Sequence, residues 1–161
     1  MKNRKIHFVT QAALIAAIYV VMTYLFSPLS FSAVQVRLSE ALMIMPLFTA
    51  SAVPGLFIGC LIGNILGGAL LPDIVFGSIA TLIGAVLTYR LREKGPVISM
   101  IPPIVSNSII IPFVLKYAYG INMPVLLMVI TVGIGEIISC GLLGNLLYRA
   151  LTRCRFIFSQ N

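Results

Sequence analysis

The sequence predicts an all-α membrane protein, a bundle of six transmembrane helices with both termini in the cytoplasm. Three observations lead there. Hydrophobic residues make up 60% of the 161 and charged residues only 9%, whereas a soluble domain carries about 25% charged. The apolar residues fall into runs that approach the roughly 20 residues a span requires. The basic residues collect between those runs: Lys2, Arg4 and Lys5, then Arg90, Arg92 and Lys94, then Arg149, Arg153 and Arg155. That distribution is the mark of cytoplasmic loops under the positive-inside rule. Residues 1–161 read as one integral-membrane domain, and the net charge of +7 needs no nucleic acid to explain it.

Each element has its own justification. The first run, Ile6–Phe26, sits where a signal peptide would, but it lacks a small-x-small cleavage site and the rest of the chain is as apolar, so it reads as a span. It carries two small-residue pairs one position apart, Ala12 with Ala16 and Ala13 with Ala17, a candidate docking face for another membrane subunit. The second run, Leu38–Val53, ends at Pro54-Gly55, and Pro28 closes the first. In the third, Gly55–Leu71, Gly55, Gly59, Gly63 and Gly67 recur every four residues, a stripe that lets a neighbouring helix approach closely. Pro72 precedes the fourth run, Ile74–Tyr89. Gly95-Pro96 precedes the fifth, Val97–Leu115, and Asn122-Met123-Pro124 the sixth, Val125–Leu147.

Six crossings put all three basic clusters on one side. Four spans with a re-entrant hairpin over 38–71 preserve the same parity. Runs two to four are only 16 or 17 residues long, which implies short or tilted helices.

The polar residues then become informative. The chain has four carboxylates, and one of them, Glu40, stands three residues from Arg37, a spacing that shares a helix face. Arg37, Glu40 and Asp73 fall at the outer membrane edge; Asn64, Asn107 and Glu136 fall near mid-span. Amides and carboxylates in hydrocarbon must find partners or water, and ionisable groups there point to a functional site. These six residues are candidates for the wall of an outward-facing substrate well. The structural alternative is an ion pair of Arg37 with Glu40 or Asp73, with Asn64 and Asn107 as interhelical hydrogen-bonding groups. Glu93 lies in the basic inner loop as a solvated charge.

Enzyme chemistry finds little support. Cys60, Cys140 and Cys154 have neither metal nor disulfide spacing, and the single histidine, His7, has no paired ligand. The sequence contains no GxxxxGK[ST] loop and no nucleophile elbow. No cofactor is implied. Uphill transport would therefore draw on an ion gradient or on a partner protein.

Val36-Arg37-Leu38-Ser39-Glu40-Ala41-Leu42 followed by Pro46, Val53-Pro54-Gly55-Leu56 with Gly59, Gly63 and Asn64, then Pro72-Asp73, Gly77-Ser78 and Ala80-Thr81-Leu82 together resemble the queuosine-precursor transporter (QueT) family. Those blocks cover runs two to four, and the chain length and span count extend the likeness across nearly all of it. The resemblance implies a substrate-binding S component of an energy-coupling factor transporter in a bacterial cell membrane. Its partners would be one transmembrane coupling subunit and two cytoplasmic ATPases, docked on an AxxxA face that either alanine pair would supply. The implied ligand is a 7-deazaguanine such as the aminomethyl form. A carboxylate can accept its two parallel ring-edge donors together, so Glu40 and Glu136 would read the edge or the amine, with Arg37, Asp73, Asn64 and Asn107 completing the well. Phe31, Phe76, Phe113, Tyr117 and Tyr119 are the candidates to stack on the ring. Competing readings are an S component for another small heterocycle or vitamin, a stand-alone carrier with Glu136 as proton relay, and a non-transporting membrane scaffold.

Overall fold

In a computed structural model of the protein, residues 2–26 and 37–153 are described, and helix is the regular structure throughout them. Pro28, Phe31, Val36, Cys154 and Arg155 lie outside the described residues. The elements are α1 (Lys2–Leu25), α2 (Leu38–Leu47), α3 (Ala52–Leu66), α4 (Leu71–Arg90), α5 (Ile101–Tyr117, led by a short turn Pro96–Ser99) and α6, which runs from Val125 to Arg153. Proline opens α4 and precedes α6, and Gly95, at φ +89°, makes the turn into the segment leading to α5. These boundaries follow the breaks expected from Pro72, Gly95-Pro96 and Pro124.

Among the described residues, four stretches are long and apolar enough to cross a membrane: Asn3–Leu25, Leu71–Arg90, Pro96–Tyr117 and Val125–Arg153. The other two expected spans are shorter. Helix α3 has 15 residues, about 22 Å at 1.5 Å per residue, against a hydrocarbon core of about 30 Å. Helix α2 has ten residues and is 3₁₀ throughout, with Pro46 inside it; 3₁₀ runs longer than three or four residues are uncommon. Every residue from Ser39 to Pro46 is buried, so α2 is the centre of the bundle.

Side-chain contacts fix the directions of the helices. Cβ atoms added at Gly55, Gly59 and Gly63 would meet Ala12, Ala16 with Tyr19, and Thr23 in turn, so α3 runs parallel to α1. Thr23 and Tyr19 of α1 bond Ser39 and Glu40 of α2, the reverse order. Glu40 faces Thr81 and Met43 faces Gly84, so α2 and α4 run together. Ser106 donates to the Ala80 carbonyl and Thr88 to the Ser99 carbonyl, making α5 antiparallel to α4. Asn107 meets Glu136 and Ser108 lies against Gly133, which turns α6 back again.

The glycine stripe thus does what its spacing suggests. A Cβ at Gly59 would sit 2.8 Å from Tyr19 Cβ and 3.1 Å from Ala16 Cα. Ala16 is buried in that contact, whereas Ala13 and Ala17 are exposed. Gly67, the fourth of the row, is the C-cap of α3.

Candidate functional site

Six predicted residues from five helices converge inside the bundle as two linked polar clusters. The first lies where α4 begins. Arg37, just ahead of α2, donates through one guanidinium nitrogen to both oxygens of Asp73 at 3.3 Å. Tyr119, in the loop after α5, donates to Asp73 Oδ2 at 3.0 Å and accepts from the Leu70 amide at 3.2 Å. Burial pushes the Tyr119 phenol up, which keeps it the donor in that contact. Asn64 of α3 donates weakly to the Asp73 carbonyl at 3.5 Å. Gly77 belongs here too: a Cβ on it would lie 3.1 Å from Asp73 Oδ1 and 3.3 Å from Asn64 Nδ2.

The second cluster is deeper. Tyr19 of α1 donates to Glu40 Oε1, and the Thr81 hydroxyl lies 3.5 Å from the same oxygen and 3.3 Å from Cys60 Sγ. Asn107 of α5 donates to Glu136 Oε1 at 3.0 Å. The Cys140 thiol stands 3.3 Å from Glu136 Oε2 and 3.4 Å from the Glu40 carbonyl. Donor atoms of Glu40, Glu136 and Cys140 lie within 4.8 Å of one another. Cys60 and Asn64, four residues apart and 3.6 Å in contact, connect the two clusters.

Local sequence explains the convergence. In a 3₁₀ helix side chains at i and i+3 eclipse, so Glu40 and Met43 form one row against α4. Glu136 ends the regular α-helical part of α6, and a π-helical stretch, Ile137–Leu143, follows it and carries Cys140. Such stretches are frequent at functional sites.

All six predicted residues are buried, Glu40 and Asp73 at 0% exposure and Glu136 at 3%. In this structure the six residues expected to line a polar well form a buried polar network. Its chemistry is nonetheless distinctive. Arg37 bonds Asp73, while Glu40 and Glu136 face each other, and Glu40 Oε2 accepts no hydrogen bond among the described residues. A buried acceptor of this kind costs about 1–3 kcal/mol, so the pair is poised for a cation or for a ligand with several N–H donors. Glu40, Glu136 and Cys140 could also hold a metal ion, with two oxygen ligands and one sulfur.

Residue identity alone did not single out Tyr19, Thr81, Cys140 or Gly77 as neighbours of these acids. Tyr19 and Thr23 carried a signal, being polar, four residues apart and on the Ala12–Ala16 side of α1. The proposed stackers separate as well. Phe76, Phe113 and Tyr117 line an apolar cavity of about 510 Å³ with Pro72, and Phe113 and Tyr117 stack on each other at 6.5 Å between centroids. Of the described aromatic candidates, Tyr119 is the one that touches the carboxylates.

The QueT transporter family model matches residues 9–153. A protein of Lactococcus lactis subsp. cremoris described as queuosine precursor transporter QueT is 31% identical over 99 residues, 58% of this chain and 58% of that protein. The matched stretch thus spans somewhat more than half of the relative's length. No solved structure matches the chain.

Proposed function

This chain belongs to the QueT transporter family, and we propose that it is the substrate-binding S component of an ATP-driven importer of the energy-coupling factor type. Its substrate in this reading is a queuosine precursor, the cargo in the description of its Lactococcus lactis relative, and within that class a 7-deazaguanine such as the aminomethyl form. The protein would cross a bacterial cell membrane six times with both termini cytoplasmic. The alternating directions of α1 through α6, with α3 running parallel to α1 and α2 parallel to α4, support that count, and so does the gathering of the basic segments at one end. Helix α2, buried on every side, and the short α3 would complete the six.

The observation that carries the reading is the pair Glu40 and Glu136, two buried carboxylates with donor atoms within 4.8 Å and no salt bridge to a basic side chain among the described residues. A guanine-like edge presents a ring N–H and an exocyclic amine side by side, which one carboxylate accepts together. The aminomethyl ammonium would satisfy the second. Binding would replace the hydrogen bonds these acids now accept from Tyr19, Thr81 and Asn107. Arg37 and Asp73 would then hold the upper wall, with Asn64 bridging to it.

Partners follow from the same reading: a transmembrane coupling subunit and two cytoplasmic ATPases. Ala12 and Ala16 are occupied by the glycine stripe of α3, which favours the exposed Ala13 and Ala17 as the docking pair.

The test is calorimetric titration of the detergent-purified protein with the aminomethyl 7-deazaguanine. Glu40→Gln and Glu136→Gln should each weaken binding by about tenfold to a hundredfold, the range of a charge-assisted hydrogen bond. Unchanged affinity in both variants overturns the assignment. Uptake that persists without the ATPases would instead favour a stand-alone carrier with Glu136 as its proton site.

A further inference from the structure

At the basic end of the bundle, a cavity of about 390 Å³ is lined by Arg4, His7, Gln11, Thr49, Tyr89 and Arg92, with no acidic residue in its wall. We propose that this cavity binds phosphate, and that its occupant is the headgroup of an anionic phospholipid.

The wall is prepared for an anion. Arg92 lies over the Tyr89 ring at 4.3 Å and donates to the Tyr89 carbonyl at 3.0 Å, two contacts that fix its guanidinium at the cavity. Its partner Glu93 is 3.9 Å away and 87% exposed, a pair solvent weakens. Arg4 makes no ion pair among the described residues. Gln11 is already engaged, its carbonyl oxygen accepting from Thr49 and Ser51 at 3.0 Å each. The cationic donors that face an incoming ligand are the two guanidiniums, whose planar forks suit phosphate oxygens.

A second observation distinguishes a lipid from a soluble anion. Arg4 and Phe8 also line an apolar groove with Lys5 and Val9, and Ile6 and Val9 on the same turn are 57% and 65% exposed. A polar seat opening onto an apolar track suits an amphiphile, with phosphate on the arginines and acyl chain along Phe8 and Val9. Basic pockets between membrane helices commonly hold anionic headgroups in this way. The proposal requires that the chain lie in a bilayer and is independent of its cargo.

Native mass spectrometry of the purified full chain, supplied with phosphatidylglycerol or phosphatidylcholine, tests it. Phosphatidylglycerol should be retained about tenfold better. Arg4→Gln combined with Arg92→Gln should erase that preference at an unchanged melting temperature, and Arg4→Lys combined with Arg92→Lys should keep most of it. Equal retention of the two lipids by the unaltered protein overturns the proposal, as does an undiminished preference in the glutamine variant. Displacement of the lipid by micromolar glycerol 3-phosphate would overturn the lipid source and assign the seat to a soluble phosphate.

Discussion

Arg37 reaches past Glu40, its neighbour three positions on, and bonds Asp73 thirty-six residues away through both carboxylate oxygens at 3.3 Å. The side chains are 5% and 1% exposed, so breaking the pair from one side strands a buried charge. Asp73→Asn or Arg37→Met should each cost about 3–5 kcal/mol, read as a fall in melting temperature in detergent. The double variant Arg37→Met/Asp73→Asn should cost less than the sum of the singles. Strict additivity would remove the coupling.

Tyr19→Phe tests the deeper cluster. It takes from Glu40 Oε1 the phenol donor, leaving, among the described residues, the distant Thr81 hydroxyl at 3.5 Å. A loss of about 1–3 kcal/mol is expected for the stranded acceptor. Combining it with Glu40→Gln should recover part of that loss. A Tyr19→Phe protein as stable as the parent would show that the phenol does not satisfy Glu40.

Packing gives a sharper contrast. Gly59→Ala places a methyl 2.8 Å from Tyr19 Cβ and 3.1 Å from Ala16 Cα, where neither α1 nor α3 can yield without moving. Overpacking of this kind costs about 1–3 kcal/mol. Gly133→Ala meets only the Ser108 hydroxyl at 3.3 Å, a group that can rotate away, and should be nearly neutral. Equal effects in thermal melts would contradict the close approach of α3 to α1.

The two alanine pairs of α1 should separate in their effects. Ala13→Leu with Ala17→Leu adds bulk on an exposed face and should abolish co-purification with the coupling subunit while leaving solitary ligand binding intact. Ala16→Leu intrudes on the Gly59 contact and should lower the melting temperature itself. Retained co-purification in the Ala13/Ala17 variant would move the docking surface elsewhere.

The helical bundle was legible because its signals are local. Proline and glycine at 72, 95–96 and 124 punctuate the chain, and lipid-grade runs lie between them. The same locality explains what was missed. Periodicity identifies the Gly55–Gly59–Gly63 row but does not say which helix covers it, so Ala12/Ala16 and Ala13/Ala17 could not be told apart before the rotation of α1 was known. Composition marked Glu40 and Glu136 as costly to bury, yet their meeting joins residues ninety-six positions apart, and spacing holds no information over that distance. The run Leu38–Val53 looked like a span by hydropathy. It contains a ten-residue 3₁₀ helix, because hydropathy measures solvent preference and not the hydrogen-bond pattern the backbone adopts.

The π-helical stretch of α6 also sets an angular phase. Widening the turn over Ile137–Leu143 accommodates, in effect, one residue more than a regular helix would, and each residue turns an α-helix by about 100°. Deleting Leu142 should let that stretch wind regularly and leave Glu136 where it is. Everything beyond would swing by roughly that angle, carrying Tyr148 off Phe48, where the rings now lie 5.4 Å apart. The extra residue therefore works as a rotational offset, letting one continuous helix aim an acid, Glu136, at the centre of the bundle and, twelve residues on, an aromatic, Tyr148, at its basic end.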